Sequence, residues 1–356
     1  MKSFEVLVIN PGSTSTKIAV FREDQPLFIE SVTHAPADLK PFDTVLAQKS
    51  LRLACVTDTL AAHGYDPAAL SAIVGRGGLI EPIDSGTYVI NQNMLTDLER
   101  SSAAVHASAL GGMIAWELAQ RWHLPCYVVD PIVVDEMDQY AKLSGMPGIE
   151  RHSVFHALNQ KATARKAARD MGKAYDNCRL IVAHMGGGIT VGAHRYGRVI
   201  DVNDALAGEG PFTPERPGAL PAVNLIELCF SGAYTKQELI DRITRGGGMT
   251  AYLGTNDLRK AERLIKEGDE YAALVLESMA YQVSKEIGAM VAVLEGRVDA
   301  IILTGGLANS SRFTGCIKQR VGLIAPVLSY PGEDEMSSLA GGALRVLRGE
   351  EKAIDY

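Results

Sequence analysis

The sequence predicts an α/β protein of two related lobes, and three observations lead to that expectation. The first is a repeated unit of apolar run, polar turn and apolar run. It occurs at Val6-Leu7-Val8-Ile9, Asn10 to Lys17 and Ile18-Ala19-Val20-Phe21, and again at Leu180-Ile181-Val182-Ala183, His184-Met185-Gly186-Gly187-Gly188 and Ile189 to Ala193. Laying Asn10 on His184 sets Gly12 on Gly186. The second is that each copy is followed, much later, by a helical pattern and a further strand, which predicts two α/β lobes with a cleft between them. The third is size: 356 residues, 47% apolar and 22% charged, suffice for two cores.

The elements follow in order. After the first hairpin the charged Arg22-Glu23-Asp24 marks a turn into a third strand, Pro26 to Val32. Apolar residues at 105, 109, 113 and 116 predict a helix from Ser101 to Trp122, leading into a strand Cys126-Tyr127-Val128-Val129 that ends at Asp130-Pro131. Ser153 to Met171 is alanine-rich, with Gly172 as its stop, and reads as a helix. The second hairpin leads to a strand near Val199-Ile200. Tyr271 to Leu294 carries a long helical pattern, and Val298 to Leu303 is a strand running into Thr304-Gly305-Gly306-Leu307-Ala308-Asn309-Ser310. The expected boundary lies near Met146-Pro147-Gly148, giving lobes 1–148 and 149–335, with 336–356 packing back on the first.

Composition limits the partners. Lys plus Arg number 35 against 42 Asp plus Glu, a net charge of −7, which argues against a general nucleic-acid or acidic-membrane surface; any anionic substrate must be met by local groups. Apolar stretches such as Cys126 to Val134 fall well short of the ~20 residues of a membrane helix, and the N-terminus lacks an apolar signal core, so a cytoplasmic location is expected. Cys55, Cys126, Cys178, Cys229 and Cys316 form no CxxC pair and read as small buried hydrophobes rather than a disulfide framework or zinc site.

The two turns are the candidate chemistry. A polar hairpin between buried strands can aim backbone N–H groups, hydroxyls and Lys17 at a phosphate, and its glycine permits close approach. His184 with Gly186, Gly187 and Gly188 offers the same geometry headed by a possible cation. Neither turn is specific alone, but two in one chain suit two loops on one polyphosphate; the pattern is not that of a P-loop. Gly305, Gly306 and Asn309 follow a strand, with Asn309 or Ser310 placed to cap the next helix and the turn suited to a nucleoside. Asp130 ends an apolar strand, where ligands gather in α/β sheets, and the proline after it favours extended backbone. Arg76 lies between glycines, and Arg216 in a Pro/Gly-rich loop from Gly208 to Pro221; each suits a forked contact with carboxylate or phosphate, while an ordinary surface ion pair is the plainer reading. His106 and His156 fall on predicted helices, where a packed histidine is the plainer reading. Glu333-Asp334-Glu335 is an acidic run suited to Mg²⁺ through water, or simply solvated.

Together, Ile9-Asn10-Pro11-Gly12-Ser13-Thr14-Ser15-Thr16-Lys17 and His184-x-Gly186-x-Gly188-x-Thr190 resemble the two signatures of the acetate and butyrate kinase family, over nearly the whole chain and in the right order. The length, Gly210-Pro-Phe-Thr-Pro-Glu-Arg-Pro-Gly and Tyr330-Pro-Gly-Glu-Asp-Glu-Met resemble its butyrate kinase branch. The resemblance implies two ribonuclease-H-like lobes, a duplicated actin-like ATPase fold with its site in the interlobe cleft. It implies reversible, Mg²⁺-dependent transfer from ATP to butyrate or a related short or branched fatty acid, giving acyl phosphate and ADP, and a homodimer or larger homo-oligomer. It places Asn10 and Ser13 in the first phosphate loop, with Asn10 near Mg²⁺ or the transferred phosphoryl group, and His184 and Gly186 in the second. Arg76 and Arg216 become the active-site arginines, although the family's fuller pattern around the first is shortened here to Gly-Arg-Gly-Gly. Asp130 is assigned to Mg²⁺ and orientation, His156 to the transition state, and His106 to the site from the preceding helix. Asp257, Arg259 and Gly305 to Ser310 are nucleotide contacts, and the acidic metal residue lies among Glu333 to Glu335, with Glu333 and Glu335 the leading candidates.

Such a transfer brings two anions together, so the site must neutralise repulsion and stabilise charge on the equatorial oxygens. A carboxylate needs no general base, which leaves Asp130 to metal and orientation. Each CH₂ of the acid's tail is worth ~0.8 kcal/mol on burial, about fourfold in affinity, so broad acid specificity is expected. The rival readings are a hydroxyl-directed, sugar-type kinase of the same superfamily and a nucleotide-switch ATPase; the latter leaves Arg76 and Arg216 without work.

Overall fold

The computed structural model describes residues 3–102 and 107–356, with the side chains of residues 101 and 102 outside that description. The chain forms two compact units, one ending at Val134 and resuming over Asp334–Tyr356, the other spanning Asp135–Glu333. Strands are numbered β1 to β14 along the chain.

In the first unit β1 (Glu5–Pro11), β2 (Ser15–Arg22) and β3 (Gln25–Thr33) form an antiparallel meander. β4 (Ala72–Gly75) joins β1 in parallel and β6 (Cys126–Val129) joins β4; β5 (Thr87–Val89) and β14 (Ile354–Asp355) extend that edge, giving the order β14-β5-β6-β4-β1-β2-β3. Every residue of β1 is buried, the mark of a central strand covered on both faces, which is why its sequence is a continuous apolar run rather than an alternation. Helix Glu335–Leu347 lies against β1, β4 and β6, and helix Ala109–Trp122 against β4 and β1.

The second unit opens with a small hairpin, β7 (Leu143–Met146) and β8 (Ile149–Glu150). Its main sheet repeats the plan: β9 (Arg179–Met185), β10 (Ile189–Arg195) and β11 (Arg198–Val202) form the meander, while β12 (Ala300–Gly305) and β13 (Val327–Pro331) add in parallel, in the order β11-β10-β9-β12-β13. This matches β3-β2-β1-β4-β6 strand for strand. Helices Glu270–Val293 and Ser311–Val321 share one core with β9 and β10, and helix Ala157–Asp170 covers β9 and β12 from the other face.

Several elements differ from the sequence reading. The helix expected over 101–122 is two: Gln92–Ser102, anchored by buried Met94, Leu95 and Leu98, and Ala109–Trp122, so the apolar spacing from 109 onward belongs to the second alone. The helix expected from Ser153 begins at Ala157, with His156 at its N-cap rather than inside it. Residues 135–148 pack with the second unit because Glu136 pairs with buried Lys161 at 2.7 Å and Asp138 N–H donates to Ile200 O at 2.9 Å. Cys126 and Cys178 are buried, but Cys229 is exposed on helix Ala222–Phe230, which has no buried residue. Among the described residues no helix is long and apolar enough to cross a membrane.

Gly75, just before Arg76, and Gly111 on the facing helix serve packing. A Cβ on Gly75 would stand 2.2 Å from Gly111 O, and one on Gly111 would stand 2.7 Å from Arg76 N, so helix Ala109–Trp122 meets the end of β4 backbone to backbone. Gly75→Ala is therefore expected to lower the unfolding free energy by about 2 kcal/mol or more. Urea denaturation measures it; an unchanged midpoint would show that strand and helix separate freely.

Candidate functional site

The first unit gathers Asn10, Arg76 and Glu335. Asn10 lies buried near the end of β1 and its Nδ2 donates to Glu335 Oε2 at 2.7 Å. Arg76 Nη1 pairs with Glu335 Oε1. Arg76 backbone is held on both sides, its N–H donating to Ile9 O at 2.9 Å and its carbonyl accepting from Gly112 N–H at 3.1 Å. Lys17, opposite Asn10 in the register, is exposed, and Ser13 sits exposed in the turn.

Beneath that turn lies a residue the sequence reading missed. Arg52, fully buried, donates from Nη1 to Ser15 O at 2.9 Å and Thr16 Oγ1 at 3.1 Å, and from Nη2 to Ser13 O at 3.3 Å and Gln48 Oε1 at 2.9 Å; its Nε donates to Gln48 Oε1 at 3.2 Å. All five guanidinium protons thus go to neutral oxygens. Burial pushes the guanidinium below its usual value, and a cation with no carboxylate in ion-pair range among the described residues raises the potential of the loop above it. The signal was present: Arg52, Val56, Thr59 and Leu60 form one helical stripe, and a charge on a core stripe needs a partner. Thr16 Oγ1, already accepting from Arg52, must give its own proton to His34 Nε2, 2.8 Å away.

Asp130 closes β6, nearly fully buried. Its Oδ1 accepts from Ser85 Oγ at 2.6 Å and Gly86 N–H at 2.9 Å, while its own N–H donates to Gly86 O at 3.1 Å. This reciprocal pairing turns the backbone to φ 38°, so the expected extended conformation is not adopted.

The second unit assembles a denser cluster. His184, the last residue but one of β9, is fully buried; its ring stacks on His156 with centroids 3.8 Å apart, and its Nδ1 lies 2.8 Å from Asn159 Oδ1. His184 Nε2 stands 3.1 Å from Glu333 Oε1 yet outside hydrogen-bonding geometry. The glycine turn closes on itself through Gly186 N–H to Gly188 O at 2.9 Å, and Gly187 O accepts from Thr213 Oγ1 at 2.7 Å. Thr213 also takes the N–H of Arg216 at 2.9 Å, and Arg216 Nε donates to Thr244 O at 3.1 Å. These bonds set the guanidinium on the turn: a Cβ on Gly188 would stand 2.2 Å from Arg216 Nη1. Burial pushes Arg216 below its usual value, against the pull of Glu215 and Asp204.

The remaining candidates divide. Asp257 caps helix Leu258–Lys266 by accepting from Arg259 N–H at 2.9 Å and forks onto the exposed Arg259 side chain. Its neighbour Asn256, not foreseen, donates to Glu215 Oε1 at 2.8 Å, which ties this segment to the Arg216 loop. Gly305 ends β12 at φ 88°, Gly306 opens a short 3₁₀ turn, and Asn309 Nδ2 donates back to Gly306 O at 3.0 Å. Ser310 caps the following helix through Phe313 N–H at 2.9 Å. Glu333 and Glu335 belong to different units, the first beside His184 and the second beside Asn10. His106 lies outside the described residues. Among the described residues no group of three or more His, Cys, Asp and Glu side chains stands ready to hold a metal.

The sequence profile of the acetokinase family matches residues 140–322, more than half of the chain. The chain belongs to the acetokinase family. Among solved structures, Porphyromonas gingivalis acetate kinase superposes with a TM-score of 0.79 at 19% identity, over 97% of this chain and 100% of that one. A propionate kinase from Francisella tularensis subsp. tularensis SCHU S4 gives 0.75 at 19% identity, over 95% and 98%. Entamoeba histolytica acetate kinase gives 0.76 at 15% identity, over 96% and 99%. These likenesses show the fold, that of the actin-like ATPases, which this acetokinase realises through its two matching sheets.

Two expectations follow. Gly188→Ala forces the Arg216 guanidinium off the turn, so turnover is expected to fall about a hundredfold with thermal stability nearly unchanged; full turnover would detach Arg216 from the glycine loop. Burial, and then the Arg52 charge, hold His34 below its ordinary 6.5, so the folded state favours the neutral ring. Its contribution to stability is present above that value and lost as pH falls through the window beneath it. The unfolding midpoint is thus expected to drop on acidification from about pH 7.5 to about 5.5, and His34→Gln to flatten part of that slope.

Proposed function

We propose that this acetokinase is a butyrate kinase, transferring the γ-phosphoryl group of ATP to the carboxylate of butyrate or a related short or branched fatty acid, reversibly and with Mg²⁺. The observation that carries the reading is Arg216, a half-buried guanidinium set against the Gly186–Gly188 turn with no carboxylate in ion-pair range among the described residues. A desolvated cation over a phosphate-type loop suits charge that develops on transferred oxygens.

The residues then divide the work. In the second unit His184 and the N–H groups of Gly186 to Gly188 bind phosphate oxygens, Arg216 neutralises the transferring group, and His156 donates a hydrogen bond to it. Gly305, Gly306 and Asn309 take the nucleoside, with Asp257 and Arg259 beside it. In the first unit Asn10, Ser13 and Lys17 form the other phosphate loop, backed by the Arg52 charge, and Arg76 takes the acid's carboxylate, with His106 assigned to the same acid. The acceptor is already ionised, so in-line attack needs no base, and the Ser85 and Gly86 donors that hold Asp130 Oδ1 suit it to orientation.

The side chains of Asn10, Asp130, Glu333 and Glu335 offer hard oxygen donors of the kind Mg²⁺ takes, too few at one point to cage it, which fits an ion held mainly by phosphates and water. Asn10 and Glu335, already paired, are the first-unit ligands in this reading, and the ion supplies charge neutralisation on the phosphates. A homodimer belongs to the same proposal and is checked by sedimentation.

The deciding assay traps acyl phosphate with hydroxylamine over straight and branched acids of two to six carbons, with hexoses as a parallel arm. Hydroxamate is expected with several acids, adjacent chain lengths differing by about fourfold; hexose-dependent ADP release without hydroxamate would establish the hydroxyl-directed alternative. Arg76→Ala and Arg216→Ala are each expected to lower kcat/KM about 10³-fold with the fold intact. Near-normal turnover in either would remove that arginine from the mechanism.

A further inference from the structure

Behind the stacked histidines runs a chain of buried polar groups to which the reaction assigns no role. His156 Nδ1 lies 3.0 Å from Thr190 Oγ1, and Gln160 Nε2 lies 2.9 Å from the same hydroxyl. Gln160 Oε1 lies 2.9 Å from His194 Nε2, and Tyr175 OH 2.7 Å from His194 Nδ1. Gln160, Thr190 and His194 are fully buried.

The direction of each bond follows from what each atom is able to do. Gln160 also meets the backbone carbonyl of Thr190 at 3.1 Å; a carbonyl only accepts, so the Gln160 atom there is nitrogen, and its amide orientation is fixed. Both amide protons are then spent on Thr190 O and Oγ1, and Gln160 Oε1 must accept from His194 Nε2–H. His194, enclosed beside Lys161 and Arg165, is held well below the usual histidine range, chiefly by burial, and is neutral; its Nδ1 therefore accepts from the Tyr175 hydroxyl. Thr190 Oγ1 still has a proton to place, and Gln160 Nε2 has no lone pair for it. His156 Nδ1 is the acceptor that remains.

We propose that the buried chain Tyr175, His194, Gln160 and Thr190 sets the tautomer of His156, holding its ring neutral with the proton on Nε2. Thr190, Gln160 and His194 are positioning residues, acting on substrate only through His156. A protonated ring would turn Nδ1–H onto Thr190 and strand a hydroxyl proton in a dry interior, at the cost of an unmade hydrogen bond. It would also add a second positive charge beside Arg216, since His156 Cε1 lies 3.4 Å from the Cβ position of Gly188, where the guanidinium sits. A neutral Nε2–H donor gives direction without that repulsion. The use of this donor in phosphoryl transfer rests on the carboxylate kinase reading; the tautomer does not. Gly192 preserves the arrangement, because a Cβ there would stand 2.5 Å from Gln160 Oε1.

The test is long-range proton–nitrogen correlation NMR on the full chain labelled with ¹⁵N-histidine, with His156 assigned by His156→Gln. The expected spectrum at neutral pH shows His156 with protonated Nε2 and bare Nδ1; a protonated Nδ1, alone or with Nε2, overturns the proposal. Thr190→Val is expected to mix the tautomers and lower kcat about tenfold with KM for ATP unchanged, Thr190→Ser to keep both the spectrum and kcat, and Gly192→Ala to behave as Thr190→Val. A wild-type His156 pattern surviving in folded Thr190→Val also overturns it. Because the spectrum needs no turnover, an absence of hydroxamate formation alongside the expected pattern would refute the kinase reading and leave the tautomer assignment standing.

Discussion

A polar turn at the end of a buried strand has to find partners for its groups where water does not reach, and the rest of this structure is arranged around that requirement. In both hairpins the solution centres on one buried threonine, Thr16 on β2 and Thr190 on β10, at equivalent places six residues beyond Asn10 and His184. Each hydroxyl accepts from a donor on a covering helix, Arg52 or Gln160, and passes its proton to a histidine, His34 or His156. The duplication therefore extends beyond strand order to the direction of individual hydrogen bonds. The copies have diverged in charge: Arg52 places a cation under the first loop, whereas Gln160 keeps the floor of the second neutral.

That divergence bears on how an acidic chain attracts anions. The net charge of −7 is an average over the surface. Locally, Arg52 is met by neutral oxygens, and Arg216 has no carboxylate within ion-pair range among the described residues. Arg76, by contrast, is neutralised by Glu335, which also holds Asn10. Backbone-to-backbone contact at Gly75 and Gly111, and the absence of a side chain at Gly188, bring these groups to their loops without long flexible reaches. Side chains fixed by packing lose little further entropy when an anion arrives.

The sheets were legible because each hairpin is an apolar run broken by glycine, a local pattern that fixes strand, turn and strand. Asn10, His184 and Gly186 to Gly188 were legible through the same turns, and Arg216 through the Pro/Gly-rich loop from Gly208 to Pro221. Helix limits were less so: the starts at Ala109 and Ala157 depend on which turns find tertiary partners. Asp130 shows the limit of a local rule, since pairing with Gly86 overrides the extended bias that Pro131 imposes. Arg52 escaped notice because no helix was read around it, so its place on an apolar stripe went unseen, and Gln160 because it reads as an ordinary polar residue on the alanine-rich helix.

By itself the amino-acid sequence determined the two hairpins, their duplication and the residue types carried at their turns, since these rest on interactions among near neighbours. Only the tertiary structure decided that Glu335 pairs with Arg76 and Asn10 while Glu333 stands by His184, that Asp130 turns left-handed, and which way the protons run from Tyr175 to His156. Those are contacts between segments distant along the chain, and a hydrogen bond's direction is set by every partner an atom has. A linear pattern records the atoms but not their neighbours.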